Sequence, residues 1–276
     1  MGHRLWTAIL LGCLPLALHG AVKLKLVEGY PYVDVSINSR GPFRMLIDTG
    51  DSSSSITPET AKAAGVEFDQ RVPLTTMSGE QAVPAAADIA IRVGTVETEL
   101  PAVLAAKPEA IRRLDSKAAG VLGQGFLSRF PYLIDYRRKL LWIGDEAVAE
   151  SQRLGPPIPT RQVRGMILLP ARIGPASEPA QLALDSGAPH LILQCRTRCA
   201  ALDSGREVKL VTNTGHVTAQ TGHLGRVRLG ETVFPEVEAV ILRGTPPVDR
   251  EDGVLPAKWF SAVYVDSERH VVRVTR

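Results

Sequence analysis

An excess of charge of either sign is what this sequence most clearly lacks. Its 32 Lys and Arg residues are nearly balanced by 29 Asp and Glu residues, which leaves a formal net charge of +3 over 276 residues. A nucleic-acid-binding surface normally needs a concentrated basic field. The composition therefore gives no indication of a nucleic-acid partner.

Long apolar runs are also missing, apart from one at the N-terminus. Within residues 1–20, the positive Arg4 is followed by an apolar stretch over residues 5–18. This pattern is typical of a secretory signal peptide, and the stretch is short for a membrane span. We expect an exported protein, periplasmic or secreted, with no stable membrane span. Lipidation at Cys13, within LLGC, is a lower-ranked alternative.

Cysteine is scarce as well, with three residues in the whole chain and two beyond the predicted signal peptide. Cys195 and Cys199 lie close in sequence, and in an oxidising compartment they could form a disulfide, although the geometry at this spacing is demanding. Two free buried thiols are an equally weighted alternative.

The usual signatures of metal and serine catalysis are absent. His190, Cys195, Cys199 and His216 do not follow a common zinc-binding spacing. The sequence also has no G-x-S-x-G nucleophile elbow. We therefore expect neither a metal nor another cofactor.

What the sequence does contain is a long internal repeat. Four pairs of segments recur in the same order at nearly the same offset: LIDTG with Asp48 and LALDSG with Asp185, residues 72–80 and 208–216, residues 91–104 and 227–242, and residues 119–143 and 252–274. One such match would be chance, but four in register indicate a duplicated lobe.

Alternating apolar and polar residues predict β-strands over most of the chain. One short helix is indicated, with Thr57 as its N-cap, Pro58 as its first residue and Gly65 at its end. We predict an all-β fold of two duplicated β-barrel lobes with few short helices. The predicted boundaries are 21–150 for the N-terminal lobe, 151–165 for a Pro-rich linker and 166–276 for the C-terminal lobe.

The two Asp loops indicate what chemistry the repeat could perform. An apolar strand brings each Asp to a partly solvated position, and Gly50 or Gly187 allows a tight turn. A single loop of this kind would be an ordinary structural turn. Two loops facing each other would bring the carboxyls of Asp48 and Asp185 into close contact. Two carboxyls in close contact cannot both ionise, so they share one proton. The pair could then hydrolyse a substrate by general acid–base catalysis with one activated water.

These motifs resemble those of aspartic peptidases of the retropepsin and pepsin type, and most of all bacterial retropepsin-like proteins, here with two fused lobes. The resemblance rests on FRMLIDTG, on AGVLGQGFL followed by YLIDYRRKLLWI, and on LALDSG followed by DGVLPAKWF. It implies a bilobal pepsin-like architecture and an aspartic endopeptidase in which Asp48 and Asp185 are catalytic. The hydroxyls of Thr49 and Ser186 would lock the two loops together.

The resemblance also implies a peptide or protein substrate in the cleft between the lobes, covered by β-hairpin flaps. The matching flap residues are Thr76, Met77, Ser78 and Gly79 in the first lobe and Thr214 and Gly215 in the second. Because the two lobes are fused, no dimer is needed to build the site, and we expect a monomer.

Three departures from the family pattern bear on catalysis. Asp51 follows Gly50, where the family has a small residue; Pro256 stands where Gly123 stands in the first lobe; and neither candidate flap carries a Tyr. These departures favour an alternative, a catalytically weak protein that keeps the cleft and binds an extended peptide through strand edges. A glycosidase is less well supported, because its two carboxylates normally occupy unlike environments.

Overall fold

A computed structural model describes residues 20–76, 79–174, 178–195, 204–212, 215–243 and 251–276. The predicted signal peptide lies outside these ranges except for its last residue. Within them the chain is mostly β-strand, so the all-β, two-lobed class predicted from the sequence is confirmed. In the same ranges, no helix has both the length and the apolar character needed to cross a membrane.

The first half of the chain contains thirteen of the strands in the described ranges and four short α-helices. The strands are β1 (Val22–Lys23), β2 (Lys25–Val27), β3 (Tyr30–Ile37), β4 (Arg40–Ile47), β5 (Ser54–Ile56), β6 (Gln70–Thr76), β7 (Gly79–Ala86), β8 (Ile89–Val93), β9 (Val96–Leu100), β10 (Val103–Ala105), β11 (Gly120–Leu122), β12 (Tyr132–Asp135) and β13 (Leu140–Ile143). The helices are α1 (Pro58–Ala64), α2 (Pro108–Ile111), α3 (Gln124–Leu127) and α4 (Asp145–Ser151).

The second half adds further strands and one 3₁₀-helix. The strands are β14 (Ile158–Pro159), β15 (Arg161–Val163), β16 (Met166–Ile173), β17 (Ala180–Asp185), β18 (Leu191–Cys195), β19 (Ser204–Thr212), β20 (Gly215–Leu229), β21 (Thr232–Arg243), β22 (Gly253–Pro256), β23 (Ala262–Asp266) and β24 (Val271–Thr275). The 3₁₀-helix covers Ala257–Trp259.

The strands form three sheets, and one of them is shared by the two halves. A ten-stranded sheet from the first half has the order β6-β7-β10-β5-β11-β4-β3-β8-β9, with β2 paired to β3. An eight-stranded sheet from the second half has the order β15-β16-β17-β22-β18-β21-β20-β19. The six-stranded sheet β1-β13-β12-β23-β24-β14 takes strands from both halves and joins them where β12 pairs with β23.

The same three-strand unit leads to each Asp loop. In the first lobe β4 pairs in parallel with β11, which pairs antiparallel with β5. In the second lobe β17 pairs in parallel with β22, which pairs antiparallel with β18. The repeat inferred from the sequence therefore corresponds to a repeat in strand pairing.

Alternation along these strands sends apolar side chains into the core beneath the loops. On β4, Met45 and Ile47 are fully buried, whereas the alternate residues Arg44 and Leu46 are partly exposed. Burying each large apolar side chain stabilises the fold by about 1.5–3 kcal/mol. The buried cluster extends through both lobes and includes Met45, Ile47, Ile56, Leu122, Leu182, Leu184, Leu191 and Leu255.

Helix α1 begins and ends where the sequence indicates. The Thr57 hydroxyl accepts a hydrogen bond from the Thr60 N–H at 3.3 Å, and Pro58 is the first helical residue. Gly65 ends the helix in the left-handed region with φ of 66°. The helix therefore carries its own start and stop signals.

The Pro-rich stretch 151–165 is partly regular. Strand β14 pairs with β24 in the shared sheet, and β15 pairs with β16 in the second lobe. The stretch thus connects two sheets through short strand pairings. The lobe boundaries drawn from the sequence stay predictions.

Two glycines allow the parallel strand behind each Asp loop to pack closely. A Cβ on Gly120 would overlap the carbonyl oxygen of Ser55, and a Cβ on Gly253 would overlap that of Ile192. Since the overlap is with backbone, a rotamer change cannot relieve it. Each lobe therefore needs a glycine at the start of this strand.

We expect Gly120→Ala and Gly253→Ala each to lower the free energy of unfolding by about 1–3 kcal/mol, the usual cost of overpacking. Urea denaturation of the two variants measures this. Gly125→Ala is the matched control, because its Cβ would lie 3.7 Å from its nearest neighbours, an ordinary contact. Unchanged stability in the first two variants would contradict the close packing of these strands.

Candidate active site

The two Asp loops leave the middle of their sheets and meet between the lobes. Asp48 directly follows β4, and its N–H donates to the carbonyl oxygen of Leu122 at 3.1 Å. Asp185 is the last residue of β17. Both Asp residues are partly exposed, whereas the adjacent Thr49 and Ser186 are fully buried.

Gly50 and Gly187 make room for the carboxyl of the opposite loop. A Cβ on Gly50 would lie 2.5 Å from Asp185 Oδ2, and a Cβ on Gly187 would lie 2.8 Å from Asp48 Cγ. Both distances are shorter than real Cβ contacts. The reciprocal fit shows that the two loops face each other and that a side chain at either glycine would displace a carboxyl.

The carboxyls of Asp48 and Asp185 face each other between the loops, and each affects the pKa of the other. Burial raises the pKa of Asp48, while N–H groups of Gly50, Asp51 and Gly187 favour its ionised form. Burial also raises the pKa of Asp185 well above its usual range, and the charge of Asp48 raises it further. Two carboxyls this close disfavour double ionisation, so the form of the pair that carries one proton is favoured.

Thr49 and Ser186 join the loops by four crosswise hydrogen bonds. The Thr49 hydroxyl donates to the carbonyl oxygen of Leu184 at 2.8 Å and accepts from the Ser186 N–H at 3.0 Å. The Ser186 hydroxyl donates to the carbonyl oxygen of Ile47 at 2.7 Å and accepts from the Thr49 N–H at 3.0 Å. Each hydroxyl thus satisfies a donor and an acceptor of the other lobe in a buried position.

Gln124 is a supporting residue that the sequence analysis missed. Its side-chain amide donates to the carbonyl oxygen of Thr49 at 2.9 Å and lies 3.4 Å from the Tyr132 hydroxyl. Its side chain is buried, and its amide oxygen has no partner among the described residues. The corresponding position of the second lobe is Ala257, so this support exists on one side only. Its only signal in the sequence was its place directly after Val-Leu-Gly.

Asp51 lies beside the carboxyl pair in the first loop. Its carboxylate accepts a hydrogen bond from the Ser53 N–H at 3.0 Å. Burial and the nearby charge of Asp48 raise the pKa of Asp51 to about 7. A third carboxyl that titrates near neutrality is therefore part of this site.

Pro256 continues strand β22 in register. It lies opposite Asp185 in the parallel pairing of β22 with β17. In the first lobe the last pair of the corresponding strands is Leu122 with Ile47, one position earlier. In the first lobe the N–H of Gly123 donates to the Ser54 hydroxyl at 3.2 Å. Proline has no N–H, so the second lobe lacks this bond while keeping the strand pairing.

Three of the candidate flap residues lie where the paired strands of two hairpins end. Thr76 pairs with Gly79 at the end of the β6–β7 hairpin, and Gly215 pairs with Thr212 at the end of the β19–β20 hairpin. The other candidate flap residues, Met77, Ser78 and Thr214, lie outside the described residues.

The cysteine pair and a metal site receive no further support. Cys195 ends β18, but Cys199 lies outside the described residues, so the predicted disulfide does too. Across the described ranges, no group of three or more His, Cys, Asp or Glu side chains is placed to hold a metal ion.

Comparison with known proteins identifies the first lobe. Residues 33–129 match the family model described as gag-polyprotein putative aspartyl protease. Over this range the first lobe is similar to the retropepsin-like aspartyl proteases. The predicted resemblance is thereby confirmed, and the matched range contains the Asp48 loop and Gln124. No curated protein matches the chain.

The second Asp loop lies outside the matched range. Asp185 corresponds to Asp48 in the sequence repeat, in the strand pairing and in the face-to-face contact of the two loops. The protease family implies a peptide substrate.

We expect Thr49→Val and Ser186→Ala each to lower the free energy of unfolding by about 1–3 kcal/mol, because each leaves buried backbone groups of the other lobe without a partner. Calorimetry or urea denaturation measures the loss. Ser52→Ala, at an exposed position of the same loop, is the control. If all three variants were equally stable, the crosswise bonds would not be holding the lobes together.

Proposed function

We propose that the protein is an aspartic endopeptidase that hydrolyses peptide bonds with a water activated between Asp48 and Asp185. The observation that carries this proposal is the pair of facing carboxyls at the meeting point of the two lobes, with each carboxyl against the glycine of the opposite loop. Both Asp residues are partly exposed, which supports access by a water and a substrate carbonyl.

The unequal environments of the two carboxyls support unequal roles for them. N–H donors favour the ionised form of Asp48. Asp48 accepts a proton from the water while the water oxygen bonds to the peptide carbonyl carbon. Asp185 holds the shared proton and donates it to the carbonyl oxygen, which forms a neutral gem-diol. The C–N bond then breaks, the amine nitrogen takes the proton from Asp48, and Asp185 recovers one from the diol. The enzyme ends in its starting protonation state.

The substrate would be an extended peptide lying between the lobes. Hairpins β6–β7 and β19–β20 have their tips where the resemblance expects flaps, and strand edges can hold a peptide through main-chain hydrogen bonds. The fused lobes supply both carboxyls from one chain, so we propose a monomer. The apolar N-terminal stretch in turn supports export to the periplasm or the outside of the cell.

Peptide binding without cleavage is the second candidate function. It is favoured by Asp51, a carboxyl that adds negative charge next to the pair in its ionised form, and by Pro256 at the second packing strand. The binder would use the same cleft. The two candidates differ only in whether the carboxyl pair turns over a bound peptide.

We expect Asp48→Asn and Asp185→Asn each to lower the rate of cleavage at least about 10³-fold, because one variant lacks the base and the other the acid. Digestion of an unbiased peptide library, read by mass spectrometry across pH, measures this. Asp69→Asn, an exposed carboxyl of the first lobe, is the control and should cleave normally.

Undiminished cleavage in either dyad variant would contradict the assignment of both carboxyls. Peptide binding by the native protein with no cleavage at any pH would establish the binder instead.

A further inference from the structure

The two Asp loops are matched residue for residue until the fourth position. Asp48, Thr49 and Gly50 correspond to Asp185, Ser186 and Gly187, but Asp51 corresponds to Ala188. Ala188 is buried and apolar. The one charged difference between the loops is therefore placed next to the carboxyl pair.

Asp51 is rigidly held in this position. Its N–H lies 3.4 Å from the carbonyl oxygen of Asp48, and its own carbonyl oxygen accepts from the Gln124 N–H at 2.8 Å. Its carboxylate accepts from the Ser53 N–H at 3.0 Å. These three bonds fix the backbone and the side chain, so the distance from the carboxylate to the pair is set by the fold.

The charged and titratable surroundings of Asp51 contain no compensating cation within ion-pair distance among the described residues. The charge of Asp48 acts on Asp51 directly. Tyr30 and Tyr136 are the other titratable groups that sense both Asp48 and Asp185. Two described cations act on Tyr30: the Lys258 ammonium lies 4.2 Å from the centre of its ring, and Arg113 opposes the rise in its pKa.

An ionised carboxylate makes the loss of a proton from a neighbouring acid less favourable. Asp51 is neutral at low pH and becomes ionised near neutrality, because burial and Asp48 raise its pKa to about 7. Its charge therefore acts on the pair only as the pH approaches neutral. There it opposes removal of the one proton that the carboxyl pair must keep.

We propose that Asp51 is a positioning residue that keeps the carboxyl pair in its singly protonated form up to near-neutral pH, so that the protease works over a wider pH range than a symmetric pair of loops would allow. This inference rests on the proposed function, since a singly protonated pair is the form that cleaves. The residue touches neither water nor substrate in this account and acts through Asp48.

The test is the pH profile of kcat/KM for cleavage of one peptide by the native protein, Asp51→Asn and Asp51→Glu. Asn keeps an oxygen for the Ser53 N–H but carries no charge. We expect the alkaline limb of Asp51→Asn to move to lower pH by about one unit, the size of effect that one charge has at short range in a protein. The acidic limb should stay in place, because Asp51 is neutral there.

Asp51→Glu should bring the alkaline limb back towards that of the native protein, and Asp69→Asn should leave both limbs unchanged. Coincident profiles for the native protein and Asp51→Asn would overturn the proposal. So would a parallel shift of both limbs, which would mean that the substitution disturbs the pair at every pH.

A second readout does not depend on cleavage. Titration of the ¹³C-labelled Asp carboxyls by NMR follows the second ionisation of the pair directly. The pKa of this ionisation should be lower in Asp51→Asn than in the native protein, by the same amount as the alkaline limb. An unmoved ionisation overturns the proposal. If the ionisation moves as expected but no variant cleaves peptide, the electrostatic role of Asp51 holds and the peptidase function fails.

Discussion

Everything in the site depends on the crosswise contact between Thr49 and Ser186. Their hydroxyls each donate to a carbonyl oxygen and accept from an N–H of the opposite lobe, in a fully buried setting. A typical buried hydrogen bond adds only about 0.5–1.5 kcal/mol to stability, but leaving such groups unpaired costs more. The lobes are therefore locked at one separation. That separation places each carboxyl against the opposite glycine and against the other carboxyl.

The near-symmetry of this contact is broken by the residues around it. Gln124 supports the carbonyl of Thr49 in the first lobe, whereas Ala257 stands at the equivalent place in the second. Asp51 adds a carboxyl on the same side, and Pro256 removes a backbone donor on the other. Two carboxyls in identical settings would share a proton equally. The asymmetry supports the proposed roles of Asp48 as the acceptor and Asp185 as the donor.

Much of the fold and the pairing of the loops could be predicted from the sequence because both follow from local sequence patterns. Alternation of apolar and polar residues predicted the strands, and Thr57 and Gly65 predicted the ends of helix α1. The repeated D-T/S-G motifs predicted two Asp loops that face each other. Gln124 could not be found in this way, since its role is a contact with a carbonyl oxygen 75 positions away in the chain. The pairings of β14 and β15 within the Pro-rich stretch were missed for the same reason: strands this short are stabilised by the sheets they join, and their own sequence carries no periodic pattern.

The most direct test of this account is an atomic-resolution crystal structure of the native protein at mildly acidic pH. It should show the nearest oxygens of Asp48 and Asp185 about 2.5–2.7 Å apart, the length of a hydrogen bond between an acid and a carboxylate. The C–O bonds of Asp185 should be unequal, marking the proton, and those of Asp48 equal. Carboxyl oxygens separated beyond hydrogen-bond distance, or turned away from the space between the lobes, would contradict the central claim that the two halves of the chain hold one proton in common.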